Sequence, residues 1–297
     1  MKHTDEMIKK IKANKLRFKS LPKYNENPRV CGILLSFNHS YNIEKLHKAV
    51  IASNLDEFIV CEDGSIDGSY EKWGSLLDNK NHYLLRSLDI HELRAYEKAI
   101  NFSDSEIFCL LQDDDQIQMD DKWVQEALTL FDKYPKLAIL GGARGRDIDF
   151  DKSVTYGVDG DVEVSHIDPD TGRDFMFIQN INIGPYFMRK SVFNEIGGWD
   201  HRCSAAGEPG ILFESEICYR AWLAGYQVGL CNMPFKIEDD DRGTMIFNEG
   251  ADSNGKNGVR QRNCSRNIAL MQKLYRPHVA GIQRQINALN NKHLRRK

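Results

Sequence analysis

The sequence predicts an α/β protein with a largely parallel central sheet, on two observations. Short apolar segments, typical of buried strands, alternate with longer segments in which apolar residues recur at helical spacing. Strands that alternate with helices form βαβ units, and such units build parallel sheets. The predicted strands span residues 29–35, 57–62, 82–86, 106–112, 137–140 and 227–230. The predicted helices span residues 4–19, 43–52, 68–78, 90–101, 121–133, 191–196, 213–224 and 259–274, with a further helical tail after Pro277.

Turn residues mark the boundaries of these elements. Gly64-Ser65 follows the second strand, and Asp67 is placed to cap the helix that comes next. The regular alternation stops after Gly142, because residues 143–175 are polar, rich in Asp and Gly, and without a clear period. We expect that stretch to form a functional loop or a hairpin excursion.

The composition excludes several classes of protein. The chain has 297 residues, of which 41% are hydrophobic and 28% charged, and its net charge is -3. That balance fits a globular enzyme and gives no general attraction to nucleic acid. The seven cysteines form no Cys-x-x-Cys pair, and three of them fall inside predicted strands. This argues against a zinc site or a disulfide framework and favours a reducing compartment.

The two ends of the chain are basic. Residues 1–23 carry eight Lys or Arg residues against two acids, and the last residues are again rich in Arg and Lys. Either end could contact an anionic membrane surface, although a solvated basic helix is the commoner outcome. The apolar runs are too short to span a bilayer and the charged N-terminus is unlike a signal peptide, so we expect a cytoplasmic protein.

A run of three carboxylates, Asp113-Asp114-Asp115, directly follows the predicted strand over residues 106–112. Like charges at a strand end repel one another unless a cation lies among them. Mg²⁺ and Mn²⁺ prefer carboxylate oxygens and keep coordination positions for water or phosphate. Because alternate positions of an extended chain point the same way, Asp113 and Asp115 could face one ion together. The alternative is a solvated acidic turn.

A second acidic turn, Glu62-Asp63, lies at the end of the predicted strand over residues 57–62. A tight turn with a helix cap explains the Gly and Ser residues that follow. It does not explain two acids at the carboxyl end of a strand. In open α/β sheets, ligands bind beyond the carboxyl ends of the strands. The two acidic strand ends therefore predict one shared binding site.

Four short motifs occur in order between residues 29 and 231. They are Glu62-Asp63-Gly64-Ser65-Ile66-Asp67-Gly68-Ser69, the run Asp113-Asp114-Asp115, Gly197-Gly198-Trp199-Asp200, and Phe213-Glu214-Ser215-Glu216-Ile217-Cys218-Tyr219-Arg220 closed by Gly225. Together they resemble the motifs of the GT-A nucleotide-sugar glycosyltransferases, most closely family 2. The resemblance implies a GT-A catalytic domain over 29–245, made of a nucleotide-sugar half (29–142) and an acceptor half (143–245). A basic helical extension (1–28) would precede it and a helical extension (246–297) would follow.

The resemblance also implies a reaction and its donor site. Such an enzyme moves a hexosyl or pentosyl group from a nucleoside diphosphate sugar, with a UDP-sugar favoured, to a glycan or other glycoconjugate hydroxyl. Mn²⁺ or Mg²⁺ neutralises the diphosphate that leaves, and Asp115, followed by Asp113, would hold the ion. Glu62 and Asp63 would bind the nucleoside through hydrogen bonds to its ribose or base. The nucleotide-sugar-binding residues implied are Ser36, Phe37, Asn38, Glu62, Asp63, Asp113 and Asp114.

An inverting transferase needs a base that takes the proton from the acceptor hydroxyl. The resemblance places this base at Glu214, with Glu216 on the second acid of the motif and Glu208 as a rival in the loop before the helix. The alternative is that Glu214 and Glu216 are acids of a first helical turn, where the helix dipole favours them.

The chain departs from the family pattern after the strand over 227–230. Many relatives carry a metal-binding His there, whereas this chain has none. Glu238 or one of the residues 239–241 could replace it, or Lys236 or Arg242 could bind the diphosphate. Arg144-Gly145-Arg146 could also contact phosphate.

Two other functions stay open. A nucleotidyltransferase acting on sugar phosphates would carry a glycine-rich, basic phosphate loop after the first strand, where this chain has Ser36-Phe37-Asn38. A catalytically silent carbohydrate-binding relative is compatible with Phe213-Glu214 in place of the Glu-Asp pair of the family motif, but the intact run of three aspartates argues against it.

Overall fold

The computed structural model describes residues 27–77, 80–142, 144–148, 150, 161–204, 208–233, 236–237 and 259–297. Its strands are β1 (Val30–Ser36), β2 (Glu57–Glu62), β3 (His82–Arg86), β4 (Ile107–Gln112), β5 (Asp115–Gln116), β6 (Leu137–Gly141), β7 (Gly145–Arg146), β8 (Asp161–Val162), β9 (His166–Ile167), β10 (Phe175–Phe177), β11 (Asn180–Ile181), β12 (Tyr186–Arg189), β13 (Gln227–Cys231), β14 (Lys236–Ile237) and β15 (Arg295–Arg296). Its α-helices are α1 (Ile43–Ala52), α2 (Ser69–Leu76), α3 (His91–Phe102), α4 (Lys122–Lys133), α5 (Lys190–Glu195), α6 (Phe213–Leu223) and α7 (Val259–His293).

Eight strands form the central sheet, in the order β10-β13-β6-β12-β4-β1-β2-β3. The neighbours β3, β2, β1 and β4 run parallel, and so do β6 and β13. Strands β12 and β10 run antiparallel to their neighbours. The predicted α/β class with a largely parallel sheet is confirmed. The sequence pattern did not predict β10 and β12, because segments of three or four residues are too short to show a period.

The hydrophobic core lies on both faces of this sheet. The central strands β1, β2, β4 and β6 are apolar and almost completely buried, as is typical of strands covered by helices on both sides. Buried aromatic side chains join helices to strands: the indole N–H of Trp73 on α2 donates to Ser36 Oγ at 3.0 Å, and that of Trp123 on α4 donates to Ser53 Oγ at 3.1 Å. The described bounds of α1 to α6 agree with the predicted helices to within two residues.

The last helix corrects one prediction. The sequence predicted a helix ending at Leu274 and a separate helical tail after Pro277, but α7 runs unbroken through Pro277. Proline inside a helix removes one hydrogen bond and costs roughly 3 kcal/mol. Burial of apolar side chains on both sides of the proline offsets this cost, at roughly 1.5–3 kcal/mol for each fully buried side chain. These side chains are Met271, Tyr275, Ile282 and Ile286.

The C-terminal part of the chain packs against elements that follow β9 in the sequence and against β9 itself. Helix α7 contacts α6 and β10, and β15 pairs with β9. The predicted helix over 4–19 lies outside the described residues. Of the helices in the described part of the chain, none combines the length and the apolar character that crossing a bilayer requires.

Candidate active site

The acidic strand ends meet at the carboxyl edge of the central sheet. In the strand register, Ser36 at the end of β1 lies opposite Glu62 at the end of β2, and Leu35 lies opposite Gln112 at the end of β4. The polar residues that follow these strands therefore line one continuous edge. This is the edge where open α/β sheets bind their ligands.

Asp113 fixes the loop after β1. Its Oδ2 accepts a hydrogen bond from the backbone N–H of Phe37 at 2.8 Å, and its Oδ1 lies 3.4 Å from His39 Nδ1. The Asn42 side-chain amide donates to the Asp113 carbonyl at 2.8 Å. The carboxylate of Asp113 thus holds in place the loop after β1, which is predicted to bind the nucleotide-sugar, and its role as a metal ligand stays a prediction.

The loops after β1 and β2 are joined through Asn38 and Asp67. Asn38 has a φ of 51°; its backbone N–H donates to Ser65 Oγ at 2.9 Å and its Oδ1 accepts from the Ile66 N–H at 2.8 Å. Asp67 accepts from the Ser40 N–H in the loop after β1 at 2.8 Å, and from the N–H of Ser69, the first residue of α2, although Gly68 occupies the N-cap position itself. The two loops therefore form one rigid wall beside the edge of the sheet.

The two acids at the end of β2 contact backbone N–H groups and one arginine. The fully buried Glu62 accepts from the Ser65 N–H at 2.5 Å; its Oε2 has no hydrogen-bond partner and lies 3.3 Å from Arg86 Nε. Asp63 accepts from the backbone N–H groups of Ile90 and His91, at 3.0 and 2.8 Å, where α3 begins. Burial raises the pKa of Asp63, and these two hydrogen bonds oppose the rise. Nucleoside binding by Glu62 and Asp63 stays a prediction.

The other two acids after β4, Asp114 and Asp115, have raised pKa values. Asp115 is 1% exposed; its Oδ2 accepts from the Gln112 N–H at 2.8 Å, whereas its buried Oδ1 has no hydrogen-bond partner. This oxygen lies against Gly184, whose φ is +102°, and a Cβ at that position would come within 2.7 Å of it. Burial raises the pKa of Asp115 well above its usual range, and the negative charges of Asp114 and Asp113 add to the rise.

The pKa of Asp114 is raised, like that of Asp115, by burial and by neighbouring negative charge. Burial, followed by the charge of Asp113, raises its pKa to about 6, while His39 and Arg144 oppose the rise. Carboxyl groups that crowd one another in this way favour a bound cation, and the unpartnered Oδ1 of Asp115 leaves a ligand atom for it. Asp114 and Asp115 therefore fit a divalent ion. Within the described residues, no group of three or more His, Cys, Asp and Glu side chains forms a complete metal site by itself.

The structure separates the three candidate bases. Glu216 is fully buried, where it accepts from Arg220 Nε at 2.8 Å and from the Tyr275 hydroxyl of α7. Glu208 lies in the loop before α6, with one carboxylate oxygen 3.3 Å from Arg266 Nη1. Glu214 lies in the first turn of α6 and is partly exposed. These contacts favour Glu214 over Glu216 as a group that an acceptor could reach.

Arg220 connects two of the four sequence motifs through hydrogen bonds. Besides binding Glu216, its guanidinium donates to the carbonyls of Ile196 and Gly198, each at 2.7 Å. Gly197 and Gly198 both have positive φ, at 91° and 69°, which glycine adopts without steric strain. The motif around Gly198 and the motif on α6 are therefore two halves of one buried polar junction.

Comparison with known proteins identifies the family. The sequence profile of glycosyl transferase family 2 matches residues 31–197, which is more than half of the chain. The chain belongs to glycosyl transferase family 2. No curated protein matches it. The predicted resemblance to family 2 is thus confirmed, and the α/β sheet with its acidic carboxyl edge is that of a GT-A fold.

Two solved structures of similar fold support the same architecture. The mannosyltransferase PcManGT from Pyrobaculum calidifontis, in complex with GDP-Man and Mn²⁺, superposes with a TM-score of 0.50 at 13% identity, over 72% of this chain and 56% of that one. GalNAc-T7, with UDP, GalNAc and Mn²⁺, gives a TM-score of 0.53 at 14% identity, over 70% of this chain and 43% of that one. The chain spans only about half the length of these proteins, so the likeness is one of fold.

Sequence reasoning missed two residues that hold predicted site residues in place. Asn42 directly precedes α1 and Tyr275 lies in α7, and no local signal shows that they hold Asp113 and Glu216. A cavity of about 410 Å³ lies elsewhere, between the segment after β7 and the middle of α7, and no predicted site residue lines it.

Proposed function

We propose that this family 2 protein is an inverting, metal-dependent glycosyltransferase. It moves a sugar from a nucleoside diphosphate sugar to a hydroxyl group of a glycan or other glycoconjugate. The observation that carries the proposal is the state of Asp114 and Asp115. These acids lie at the carboxyl edge of the sheet with raised pKa values, and one buried carboxylate oxygen has no partner. A cation with a diphosphate would complete such a site.

The donor is a nucleoside diphosphate sugar, and a UDP-sugar is the first to test. The structures of similar fold were solved with GDP-Man and Mn²⁺ in one case and with UDP, GalNAc and Mn²⁺ in the other. In this chain, the rigid wall formed by the loops after β1 and β2 would receive the nucleoside, with Phe37, Asn38 and Asp63 as candidate contacts. Whether the sugar is a hexose or a pentose depends on the acceptor half.

Asp114 and Asp115 would hold Mn²⁺ or Mg²⁺, which acts as a Lewis acid on the leaving diphosphate. Arg144 is exposed and its positive charge acts on both acids, so it is placed to bind a phosphate oxygen beside them. Asp113 and Asn42 keep the loop after β1 in position. Glu214 accepts the proton of the acceptor hydroxyl as that oxygen attacks the anomeric carbon of the donor sugar.

Binding and turnover test this proposal separately. Thermal unfolding should be measured with UDP-, GDP- and dTDP-sugars in the presence of Mn²⁺, because a ligand that binds the native state raises the unfolding midpoint. One of the three should raise it, and EDTA should remove the effect. Release of free nucleoside diphosphate with that donor would then demonstrate cleavage of the glycosidic bond. Release of pyrophosphate from a nucleoside triphosphate and a sugar phosphate would instead show a nucleotidyltransferase and contradict the proposal.

A further inference from the structure

Helix α7 and the residues after it carry charge of one sign. Residues 259–297 contain ten Lys or Arg residues and no Asp or Glu, although the whole chain has a net charge of -3. This end of the chain is therefore strongly basic within an acidic protein. Segments with many like charges repel themselves and often form interaction surfaces.

Five of these cations form a basic row along α7. All five side chains are exposed, and they are those of Arg262, Arg266, Lys273, Arg276 and Arg284. Their sequence separations are four, seven, three and eight residues, each close to one or two helical turns. At 3.6 residues per turn they fall within an arc of about 80° and extend over about 33 Å of the helix. Because α7 runs unbroken through Pro277, the row is continuous.

The opposite side of α7 packs against the rest of the protein. Its buried residues are Cys264, Met271, Tyr275, Ile282 and Ile286. Their separations of seven, four, seven and four residues define one stripe along the helix. The centre of this stripe lies about half a turn around the helix from the basic row. The row therefore points away from the body of the protein and forms a ridge, not a groove.

Acids of the described chain neutralise the basic row only in part. Arg266 Nη1 lies 3.3 Å from the carboxylate of Glu208, and Asp147 lines the cavity of about 410 Å³ beside Arg276. Within the part of the chain that the structure describes, no acid forms an ion pair with Lys273 or Arg284. The row therefore keeps an excess of positive charge toward the solvent, where an anionic partner can meet it.

The residues between the cations decide which anionic partner the row fits. Ala269, Pro277 and Ala280 share its exposed side, and Tyr275, the one Phe, Tyr or Trp residue of α7, is buried. Single-stranded nucleic acid stacks its bases on aromatic side chains, and a sugar ligand binds in a concave site. The ridge offers neither. An anionic bilayer needs neither, because its surface potential attracts Lys and Arg side chains by charge alone.

We propose that the basic row docks the protein on an anionic lipid bilayer, with α7 lying parallel to the membrane surface. The row has no large apolar side chain to insert, so the contact is electrostatic, reversible and sensitive to salt. Each Lys or Arg near such a surface raises binding roughly fivefold, and five of them together suffice for peripheral attachment. Docking does not require the proposed glycosyl transfer, and either property can fail without the other.

Co-sedimentation of the full chain with lipid vesicles tests the docking. One set of vesicles is pure phosphatidylcholine, and the other contains about 30% phosphatidylglycerol, whose headgroup is anionic. We expect the protein to bind the anionic vesicles only. Raising the NaCl concentration from about 0.1 M to about 1 M should release it, because the Debye length falls from roughly 10 to roughly 3 Å.

A double variant, Lys273→Gln with Arg284→Gln, removes the two cations that form no ion pair with a described acid. Glutamine is a good helix former, so this variant should unfold at the same temperature as the wild type. Its partition coefficient on the anionic vesicles should fall roughly 25-fold, at fivefold for each cation. Lys48→Gln with Lys122→Gln, at exposed positions of α1 and α4, is the matched control. It changes the net charge equally and should bind like the wild type.

Three results would overturn the proposal. If the wild type does not bind anionic vesicles, α7 is a solvated basic helix. If the wild type and the Lys273→Gln, Arg284→Gln variant bind equally, the membrane contact lies elsewhere, for example on the basic residues 1–23. If the row binds heparin or single-stranded RNA but not vesicles, its partner is a soluble polyanion. Release of nucleoside diphosphate from a sugar donor, measured without vesicles, reports separately on the proposed transferase.

Discussion

The strand ends of β2 and β4 both carry acids, and the protein uses them differently. After β2, Asp63 accepts hydrogen bonds from two backbone N–H groups, whereas Glu62 accepts one with Oε1 and places its Oε2, which has no hydrogen-bond partner, 3.3 Å from Arg86 Nε. After β4, Asp115 keeps a buried oxygen without a partner, and the pKa of Asp114 is raised to about 6. The first pair of acids builds the loops of the site. The acids of the second pair are crowded by neighbouring negative charges, and a bound cation would offset that repulsion.

The difference between the two strand ends shows how roles can be assigned to the acids at the carboxyl edge of the sheet. A carboxylate that is saturated by backbone donors stabilises the fold, and removing it leaves those donors unpaired. A carboxylate that is buried without enough donors lowers stability and is available to a ligand. Substitutions at the two strand ends should therefore have opposite signatures, with lost stability at β2 and lost activity at β4.

The largest effect is expected at the end of β4. Asp115→Asn should lower glycosyl transfer by roughly 10³-fold or more, because a cation at the leaving diphosphate contributes several kcal/mol. Stability should not fall, since asparagine keeps an oxygen for the Gln112 N–H and removes an unpaired charge. EDTA should reproduce the loss in the wild type, and Mn²⁺ or Mg²⁺ should reverse it. Turnover and urea unfolding of the same preparations measure both properties.

Asp120→Asn is the control for this experiment. Asp120 accepts from the Lys122 N–H at the start of α4 and takes no part in the proposed site. It should keep nearly full activity. Similar losses of activity at Asp115 and Asp120, or full wild-type activity in chelator, would remove the distinction between the two strand ends.

The same contrast applies to the two acids of α6. Glu214→Gln should lower kcat by roughly 10²–10⁴-fold, the range for loss of a general base, with little change in stability. Glu216→Gln should lower the free energy of unfolding by about 1–3 kcal/mol, because Arg220 and Tyr275 lose a charged acceptor. Glu208→Gln should change neither by much. An inactive Glu208→Gln with a normal Glu214→Gln would move the base into the loop before α6.

A smaller effect is expected at Asp63. Asp63→Ala leaves the N–H groups of Ile90 and His91 without an acceptor at the start of α3, which should cost about 1–3 kcal/mol of unfolding free energy. Asp63→Asn, which keeps one acceptor oxygen, should lose less. Urea unfolding measures the loss, and calorimetry with UDP reports binding. Unchanged stability combined with weaker UDP binding would assign Asp63 to the nucleoside rather than to the loop.

Most of the fold could be predicted, because most of its strands and helices are marked by the residues of their own segments. From β1 to β6, each core strand is an apolar run that ends in a polar turn, and each helix has its own apolar stripe. The insertion of β12 between β4 and β6 could not be predicted, since it depends on contacts between distant segments. The continuity of α7 through Pro277 could not be predicted either, because tertiary packing outweighs the local preference for a break.

The site could be predicted to the level of strand ends but not of individual roles. Spacing placed Glu62, Asp63 and the three aspartates on one edge of the sheet. Which acid is satisfied depends on donors far away in sequence, such as the His91 N–H for Asp63 and the Phe37 N–H for Asp113.

The smallest predicted effect is a proton linkage at Asp114. Its pKa is raised from 3.8 in the unfolded chain to about 6 in the fold. The protonated form therefore stabilises the native state fully below pH 3.8, and this contribution is lost as the pH rises through 6. A cation needs the deprotonated carboxylate, so the rise in unfolding midpoint caused by Mn²⁺ should be small at pH 5 and larger at pH 7.

The difference in Mn²⁺ response between the wild type and Asp114→Asn separates the titration of Asp114 from that of all other residues. Asparagine has no proton to release, so the Mn²⁺-induced rise in the variant should be weaker, and the part of its pH dependence between pH 5 and 7 that arises from Asp114 should disappear. Asp120→Asn should keep the wild-type profile, because its carboxylate lies outside the acid run. If wild type and Asp114→Asn respond to Mn²⁺ identically at both pH values, Asp114 does not bind the ion. The strand ends of β2 and β4 would then differ through Asp115 alone.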